Sequence, residues 1–181
     1  IHVGDFVYVH KAGEIIPEIV SVTKEKRTEQ QQFKMIENCP ICNSMLLRKE
    51  DEADHYCTNP SCPGKNVNGL IHFASRNAMN IETLGDKVIG ILHDLGFLNT
   101  ITDIYLLKNK KEDLMTIPGF GEKKVLNLLN AIEHSKTNSF DSLLFGLGIK
   151  HVGAKVAKIL VKHYQTIEAI AQATEEDLSQ I

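Results

Sequence analysis

The four cysteines between positions 39 and 62 constrain this sequence more than any other feature. They form a Cys-x2-Cys pair, fourteen intervening residues and a Cys-x4-Cys pair, and the 181-residue chain has no others. Each short turn can place two sulfurs at neighbouring corners of a tetrahedron, which is the coordination that Zn²⁺ takes with thiolate ligands. We therefore predict that one structural Zn²⁺ is bound by Cys39, Cys42, Cys57 and Cys62.

Other uses of four cysteines are open at this stage. An iron–sulfur cluster also takes four thiolates, and His55 could replace Cys57 as a ligand. Two disulfides are a further alternative, although cysteines bunched within 24 residues would cross-link little of the chain. With four protein ligands a zinc site is closed, so the predicted role is architectural and not catalytic.

Charge and composition limit the partners. The net charge of −3 gives no broad basic surface, so any contact with DNA must be local or must use backbone groups. No apolar run approaches the roughly 18–20 residues of a membrane span, and we predict no membrane partner. The first residue is Ile1 and no signal peptide follows it, so we expect a cytoplasmic piece of a longer protein.

Hydrophobic periodicity divides the chain. Residues 1–27 are rich in β-branched residues and predict strands separated by a turn at 11–14, whereas residues 70–181 follow a helical period. The polar stretch 23–32 reads as a solvated linker. The predicted fold is multidomain and mainly α. Its predicted parts are a β segment with its linker (1–35), a four-cysteine zinc module (36–69) and a helical array (70–181).

The helical array contains an internal repeat. The pattern Gly-x-Lys occurs three times, and an aliphatic helical stripe follows each copy, which indicates repeated supersecondary units. The copies are Gly85-Asp86-Lys87, Gly121-Glu122-Lys123 and Gly153-Ala154-Lys155.

The clearest copy is Ile-Pro-Gly-Phe-Gly-Glu-Lys-Lys-Val at residues 117–125. A short helix over 112–116 is expected before it, with Asn109 as the capping residue of a capping box. Pro118 should end that helix, Gly119 and Gly121 allow positive φ, and a second helix should begin at the next residue. The sequence therefore predicts a helix–hairpin–helix unit.

Such a hairpin suits the nucleic-acid backbone, because glycines let N–H groups approach a phosphate and the next helix begins with partial positive charge. The alternative is a tight turn that only holds a helical bundle together. Thr83 and His151 replace the first glycine in the other copies, and Glu82 and Asp86 would repel phosphate at the first. The candidate DNA-binding residues are Gly85, Lys87, Gly119, Gly121, Lys123, Lys124, Lys150, Gly153 and Lys155.

The order of these motifs resembles one family. A β segment with Lys-Ala-Gly-Glu-Ile-Ile-Pro at 11–17, the cysteine pattern, His-Phe-Ala-Ser-Arg-Asn-Ala-Met at 72–79 and tandem hairpins are together similar to the C-terminal half of bacterial NAD-dependent DNA ligases. The resemblance covers the whole chain. It implies that residues 1–35 end an OB-fold and that the helical domain clamps nicked duplex DNA from the minor-groove side, without sequence preference.

The resemblance also implies what this chain should lack. In that family the nucleotidyl-transfer chemistry uses a Lys-x-Asp-Gly motif, and the sequence contains none. We therefore expect no catalytic and no cofactor-binding residues here, with NAD and Mg²⁺ acting only in other domains of a parent ligase. The chain alone should be an inactive, monomeric DNA-binding fragment. Residues 175–181 repeat 111–117, so a fourth hairpin is expected after Ile181.

Two other functions are compatible with the hairpins. A base-excision DNA glycosylase/lyase would use Lys123 as its catalytic lysine and Asp141 as the following aspartate. The second is a non-catalytic interaction scaffold of zinc and helices, which the net charge of −3 does not exclude.

Overall fold

The computed structural model describes residues 1–13, 15–50 and 52–181. The chain divides into two compact units, Ile1–Thr58 and Asn59–Ile181. The prediction of a mainly helical fold with a small β segment is confirmed. The predicted domain boundaries at 35/36 and 69/70 stay predictions, and Glu14 of the predicted turn lies outside the described residues.

Strands β1 (Val7–Ala12) and β2 (Ile16–Val22) form an antiparallel hairpin in the first unit. Val7 is opposite Val22, and an irregularity between Tyr8 and Val9 shifts the register along the pair. β-branched residues favour this extended backbone, as the sequence predicted. Two short strands, β3 (Leu46–Leu47) and β4 (Tyr56–Cys57), form a second antiparallel pair.

The stretch 23–32 is largely exposed, as expected for a solvated linker, but an ion pair that the sequence did not predict ties it to the N-terminus. A 3₁₀ turn over Lys24–Lys26 brings Arg27 back to the N-terminus, where its guanidinium donates to both carboxylate oxygens of Asp5 at 2.8 and 2.6 Å. The side chain of Asp5 is only 1% exposed and also accepts from the backbone N–H of His2 at 2.7 Å. A bidentate ion pair of this kind holds the stretch 23–32 against the N-terminus, although the stretch has no apolar face.

The second unit is helical. Its helices are α1 (Pro63–Ala74), α2 (Asp86–Asp94), α3 (Ile101–Leu106), α4 (Lys111–Thr116), α5 (Glu122–Ser135), α6 (Phe140–Gly146), α7 (Ala154–Tyr164), α8 (Ile167–Gln172) and α9 (Glu175–Ser179). Their amphipathic stripes bury two groups of side chains. The larger group includes Phe73, Leu92 and Phe120, and the smaller one is Leu144, Ala157 and Leu160.

The predicted cap of α4 was wrong. Its N-cap residue is Lys110, with no side-chain cap, because a 3₁₀ helix over Leu107–Lys110 runs directly into α4. Asn109 therefore lies inside helical backbone, where its side chain cannot cap the next helix. Capping boxes do occur at Thr100 before α3 and at Thr174 before α9.

Within the described part of the chain, no helix combines the length and the apolar character that crossing a membrane requires.

The Asp5–Arg27 pair predicts a pH dependence of the first unit. The hydrogen bonds from Arg27 hold the pKa of Asp5 down at about 2, well below its ordinary value. A carboxylate with a lowered folded-state pKa stabilises the fold above its unfolded pKa of about 3.9, and this stabilisation is lost as the pH falls towards 2. We expect the free energy of unfolding of the first unit, measured by urea titration with NMR detection, to decrease as the pH is lowered across that range.

Replacing Asp5 by Asn should lower the free energy of unfolding of the first unit at neutral pH. It should also remove most of the change in that free energy between pH 4 and 2, the range set by the two pKa values. Glu29→Gln, at an exposed site on the same returning segment, is the matched control and should change neither. An Asp5→Asn variant with the stability and pH response of the unsubstituted chain would contradict this assignment.

Candidate metal centre and nucleic-acid interface

The four cysteines converge on one point. Their sulfurs all lie within 4.8 Å of one another, and within the described residues no histidine or carboxylate, His55 included, joins this group. The sulfurs of Cys42 and Cys57 are 3.4 Å apart, too far for a disulfide bond of about 2.05 Å. Four thiolates around Zn²⁺ at about 2.3 Å have sulfurs about 3.8 Å apart, so the cluster fits one tetrahedral zinc ion.

The first cysteine pair sits in a tight turn. The N–H of Cys39 donates to the carbonyl of Ser44 at 2.8 Å, and the N–H of Asn43 donates back to the carbonyl of Cys39 at 2.9 Å. Asn43 has φ 56°, a left-handed conformation that asparagine tolerates better than most residues. Backbone N–H groups of Cys42 and Ile41 lower the pKa of the Cys39 thiol. The turn thus favours the thiolate that a metal needs.

The second pair is held by local structure on each side. Cys57 belongs to β4, where it is paired with Leu46. Cys62 is the N-cap residue of α1, and Pro63 takes the first helical position, where its missing N–H costs nothing. Before it, the side chain of Asn59 accepts from the N–H of Ser61 at 2.9 Å, which closes the turn.

Removal of one ligand should release the metal. The chain as purified should carry one zinc per molecule, and Cys57→Ser should lose it, because three thiolates hold zinc far less tightly than four. We expect residues around the cysteines to become labile to protease, while most helical circular dichroism remains, since α2–α7 have their own buried stripes.

Ser61→Ala, close to the site but outside the cluster, is the control and should keep the zinc. A visible absorption band with bound iron would contradict the zinc assignment, and complete loss of helix on zinc removal would contradict the independence of the helical core.

The three repeated hairpins share one backbone conformation. We name them the first (residues 81–87), second (117–123) and third (149–155) hairpins. Their third positions are all left-handed, with φ 69° at Thr83, 79° at Gly119 and 69° at His151. His151 and Thr83 thus occupy the turn position that Gly119 has in the second hairpin, as the alignment of the repeats predicted. The repeat is therefore structural as well as sequential, even where glycine is replaced.

The same hydrogen bond closes each hairpin. The N–H of the fourth residue donates to the carbonyl of the first: Leu84 to Ile81 at 3.2 Å, Phe120 to Ile117 at 2.9 Å and Val152 to Ile149 at 2.9 Å. In the first and second hairpins both of these residues are buried, so the turn is anchored to the core on two sides. The third is anchored on one side, because Ile149 is 47% exposed.

The prediction of a positive φ at Gly121 was wrong. Gly85, Gly121 and Gly153 are all extended N-cap residues, of α2, α5 and α7, and Gly121 has φ −62°. A Cβ built at any of the three would meet no atom of this chain within 4 Å. The fold itself therefore does not demand glycine here. What the missing side chain provides is open access to the first turn of each helix.

The predicted DNA-binding residues lie in the hairpin turns or at the starts of these three helices, and all but one of them are exposed. Lys124 is half-buried: its ammonium lies 3.7 Å from the centre of the Phe120 ring and donates to the carbonyl of Gly119 at 3.3 Å. The corresponding residues are Val88 and Val156, beside hairpins whose central residues are Leu84 and Val152. Lys124 therefore supports the one hairpin of the three whose central residue is a phenylalanine.

This contact predicts unequal effects of two neighbouring lysines. Lys124→Met keeps the aliphatic stem but loses the cation–π contact, so we expect the free energy of unfolding to fall by about 0.5–1 kcal/mol. Lys123→Met, on the exposed side of the same turn, should leave it nearly unchanged. Thermal unfolding of both variants in parallel measures the difference, and equal stabilities would show that the contact contributes nothing.

Two adjoining grooves join the first and second hairpins. One of about 500 Å³ is lined by Thr83, Gly121, Glu122, Lys123, Lys124 and Asn127. The other, of about 570 Å³, is lined by Asn80, Glu82, Thr83, Asn127, Asn130, Ala131 and His134. No residue of the third hairpin is among these linings. Sequence reasoning missed Asn127 and Asn130, although their spacing from Lys123 along α5 was a visible signal.

Comparison with known proteins agrees with this geometry. Residues 38–63 match the NAD-dependent DNA ligase C4 zinc finger domain, residues 76–133 a SAM-like helix-hairpin-helix tandem, and residues 142–181 a helix-hairpin-helix motif. The whole chain is 59% identical to part of a DNA ligase of Acholeplasma laidlawii. It is 50% identical to parts of DNA ligases of Bacillus thuringiensis and Bacillus cereus.

The chain is homologous to a segment of DNA ligases. It spans 28% of the length of the Acholeplasma laidlawii ligase and 27% of the Bacillus ligases. The resemblance seen in the sequence is thereby confirmed, and so is one structural zinc, since the ligase zinc finger match falls on the converged cysteines. Neither the glycosylase nor the scaffold alternative has support among these matches to ligases.

Proposed function

We propose that this chain is the DNA-gripping segment of an NAD-dependent DNA ligase, and that it holds nicked duplex DNA by its backbone. One observation carries the proposal. Three hairpins of the same conformation each place an extended glycine before a helix of nine residues or more, with no side-chain hydrogen bond at the cap. Family membership supplies the partner, because the relatives are DNA ligases.

The physical basis is the start of each helix. The first N–H groups of a helix have no intrahelical acceptor, and the helix dipole adds about half a positive charge there. A glycine cap without a competing side chain leaves these donors accessible to a phosphate oxygen. Lys87, Lys123 and Lys155, two residues further on, are all exposed. Such contacts bind the backbone whatever the bases are, as the sealing of nicks requires.

The three hairpins differ in electrostatics. Glu82 and Asp86 flank the first, only Glu122 flanks the second, and Lys150 and Lys155 lie in the third. We assign the main phosphate contacts to Gly119, Gly121 and Lys123 and to Lys150, Gly153 and Lys155. Gly85 and Lys87 then form a weaker contact, and Lys124 acts through its support of the second hairpin.

The remaining parts of the proposal concern the whole protein. Residues 1–35 form the end of an OB-fold, 36–69 the zinc module and 70–181 the helix–hairpin–helix domain of a monomeric cytoplasmic ligase. The adenylation chemistry, with NAD and Mg²⁺, belongs to other parts of that ligase, which fits the 28% of a relative that this chain spans. The four-thiolate zinc has no open coordination position and serves structure alone.

Salt titration of DNA binding tests the proposal. The chain should bind nicked duplex of unrelated sequences equally, with an affinity that falls steeply with salt, because phosphate contacts release counterions. Lys123→Ala should reduce the slope of log K against log salt by roughly one unit. Gly121→Val should weaken binding with the hairpin still folded, since a side chain there meets no atom of this chain within 4 Å.

Gly119→Val gives the contrasting case, because its φ of +79° is strained for a β-branched residue. That variant should lose stability as well as binding, whereas Gly121→Val should lose binding alone. Gly90→Val, within α2 and equally unhindered, is the control for added bulk. A chain that does not bind DNA, or a Gly121→Val variant that binds normally, would refute the proposed grip.

A further inference from the structure

We infer that one face of α5 continues the DNA-contact surface beyond the second hairpin and holds the duplex by uncharged hydrogen bonds. The surface consists of Asn127, Asn130 and His134, and we name it the α5 stripe. The inference rests on the proposed function and adds to it the path that the DNA strand takes after it leaves the hairpin.

The first support is the spacing along the helix. Lys123, Asn127, Asn130 and His134 are separated by four, three and four residues, which places them on one side of α5. All four are exposed, while Val125, Leu128 and Ile132 bury the opposite side. At 1.5 Å per residue the four positions extend over roughly 16 Å, a length that spans several nucleotides of a strand.

The second support is continuity with the hairpin. The groove beside the start of α5 contains Gly121 and Lys123, and the groove that adjoins it contains Asn130 and His134. Asn127 and Thr83 line both. A strand whose phosphate lies at the N-terminus of α5 can therefore continue along the α5 stripe, because the two grooves share these residues.

The chemistry of the walls selects the side on which an anionic strand can lie. The α5 stripe has no acidic member, and its amides can donate hydrogen bonds to phosphate, sugar or minor-groove acceptors. Across the groove Glu82 repels phosphate, and Asn80 and Thr83 contribute only neutral groups. DNA is thus expected along α5 and away from Glu82. Because the asparagines are uncharged, these contacts release no counterions.

That last property gives a signature that differs from the hairpin's. In a salt titration on nicked duplex, the double variant Asn127→Ala/Asn130→Ala should bind roughly tenfold more weakly at every salt concentration, with the slope of log K against log salt unchanged. Alanine favours helix, so α5 should remain folded, which circular dichroism checks. Asn109→Ala, an exposed asparagine in the 3₁₀ helix before α4, is the matched control and should bind normally.

A second variant should change the DNA affinity by more than the alanine substitutions do. Asn127→Asp introduces a carboxylate of nearly the same shape, so binding should weaken more than with alanine, and increasingly as the salt is lowered. Asn109→Asp should show much less of this, because it lies away from both grooves.

The possible outcomes separate the two proposals. If the α5 stripe variants bind as the unsubstituted chain does while Lys123→Ala lowers the slope, the inference is overturned and the hairpin grip stands. If the Asn109 variants lose as much affinity as the α5 stripe variants, the inference is likewise overturned. If the unsubstituted chain binds no DNA, both fail. A parallel tenfold loss confined to the α5 stripe supports the inference.

Discussion

The helical unit depends on a turn in which one left-handed residue lies between two apolar anchors. In the second hairpin, Ile117 and Phe120 are both buried and joined by a 2.9 Å hydrogen bond, with Gly119 at positive φ between them. This closed turn fixes where the next helix begins and in which direction its first N–H groups point. The exposed surface at the start of α5 is therefore positioned by the buried side chains of Ile117 and Phe120, so the hydrophobic core determines the geometry of a polar site.

The cysteine segment is stabilised by metal coordination and not by a hydrophobic core. Among the residues between 38 and 58 that the structure describes, only Cys39 is buried, and the apolar residues Ile41, Met45 and Leu47 are largely exposed. Apolar burial here is too small to offset the entropy of ordering the chain, so metal–thiolate bonds must supply the folding free energy. The two parts of the protein are thus stabilised by different means: one by the burial of side chains and the other by coordination.

The sequence predicted what depends on local spacing and missed what depends on distant contacts. The cysteines converge as expected, and the repeats are real, because a ligand turn or hairpin is specified within about ten residues. The ion pair of Arg27 was not predicted, because its partner Asp5 lies 22 residues away. Two local predictions were wrong for another reason. Asn109 does not cap α4 because it lies in a 3₁₀ helix that runs directly into α4, and Gly121 has no positive φ because it is the extended N-cap of α5. Asn127 and Asn130 gained meaning only once the groove beside them was known.

The left-handed residues Thr83 and His151 have a consequence for motion. A non-glycine residue in this region costs about 1–2 kcal/mol, and a β-branched threonine is among the least suited. The first hairpin holds its strained residue between two buried anchors, whereas the third has an exposed Ile149 on one side. Local opening should therefore cost least in the third hairpin, where a left-handed non-glycine residue has one exposed anchor, and most in the second, which has glycine and two buried anchors. The three turns share one closing hydrogen bond, but we expect them to differ in how readily they open, with the third opening at the lowest free energy.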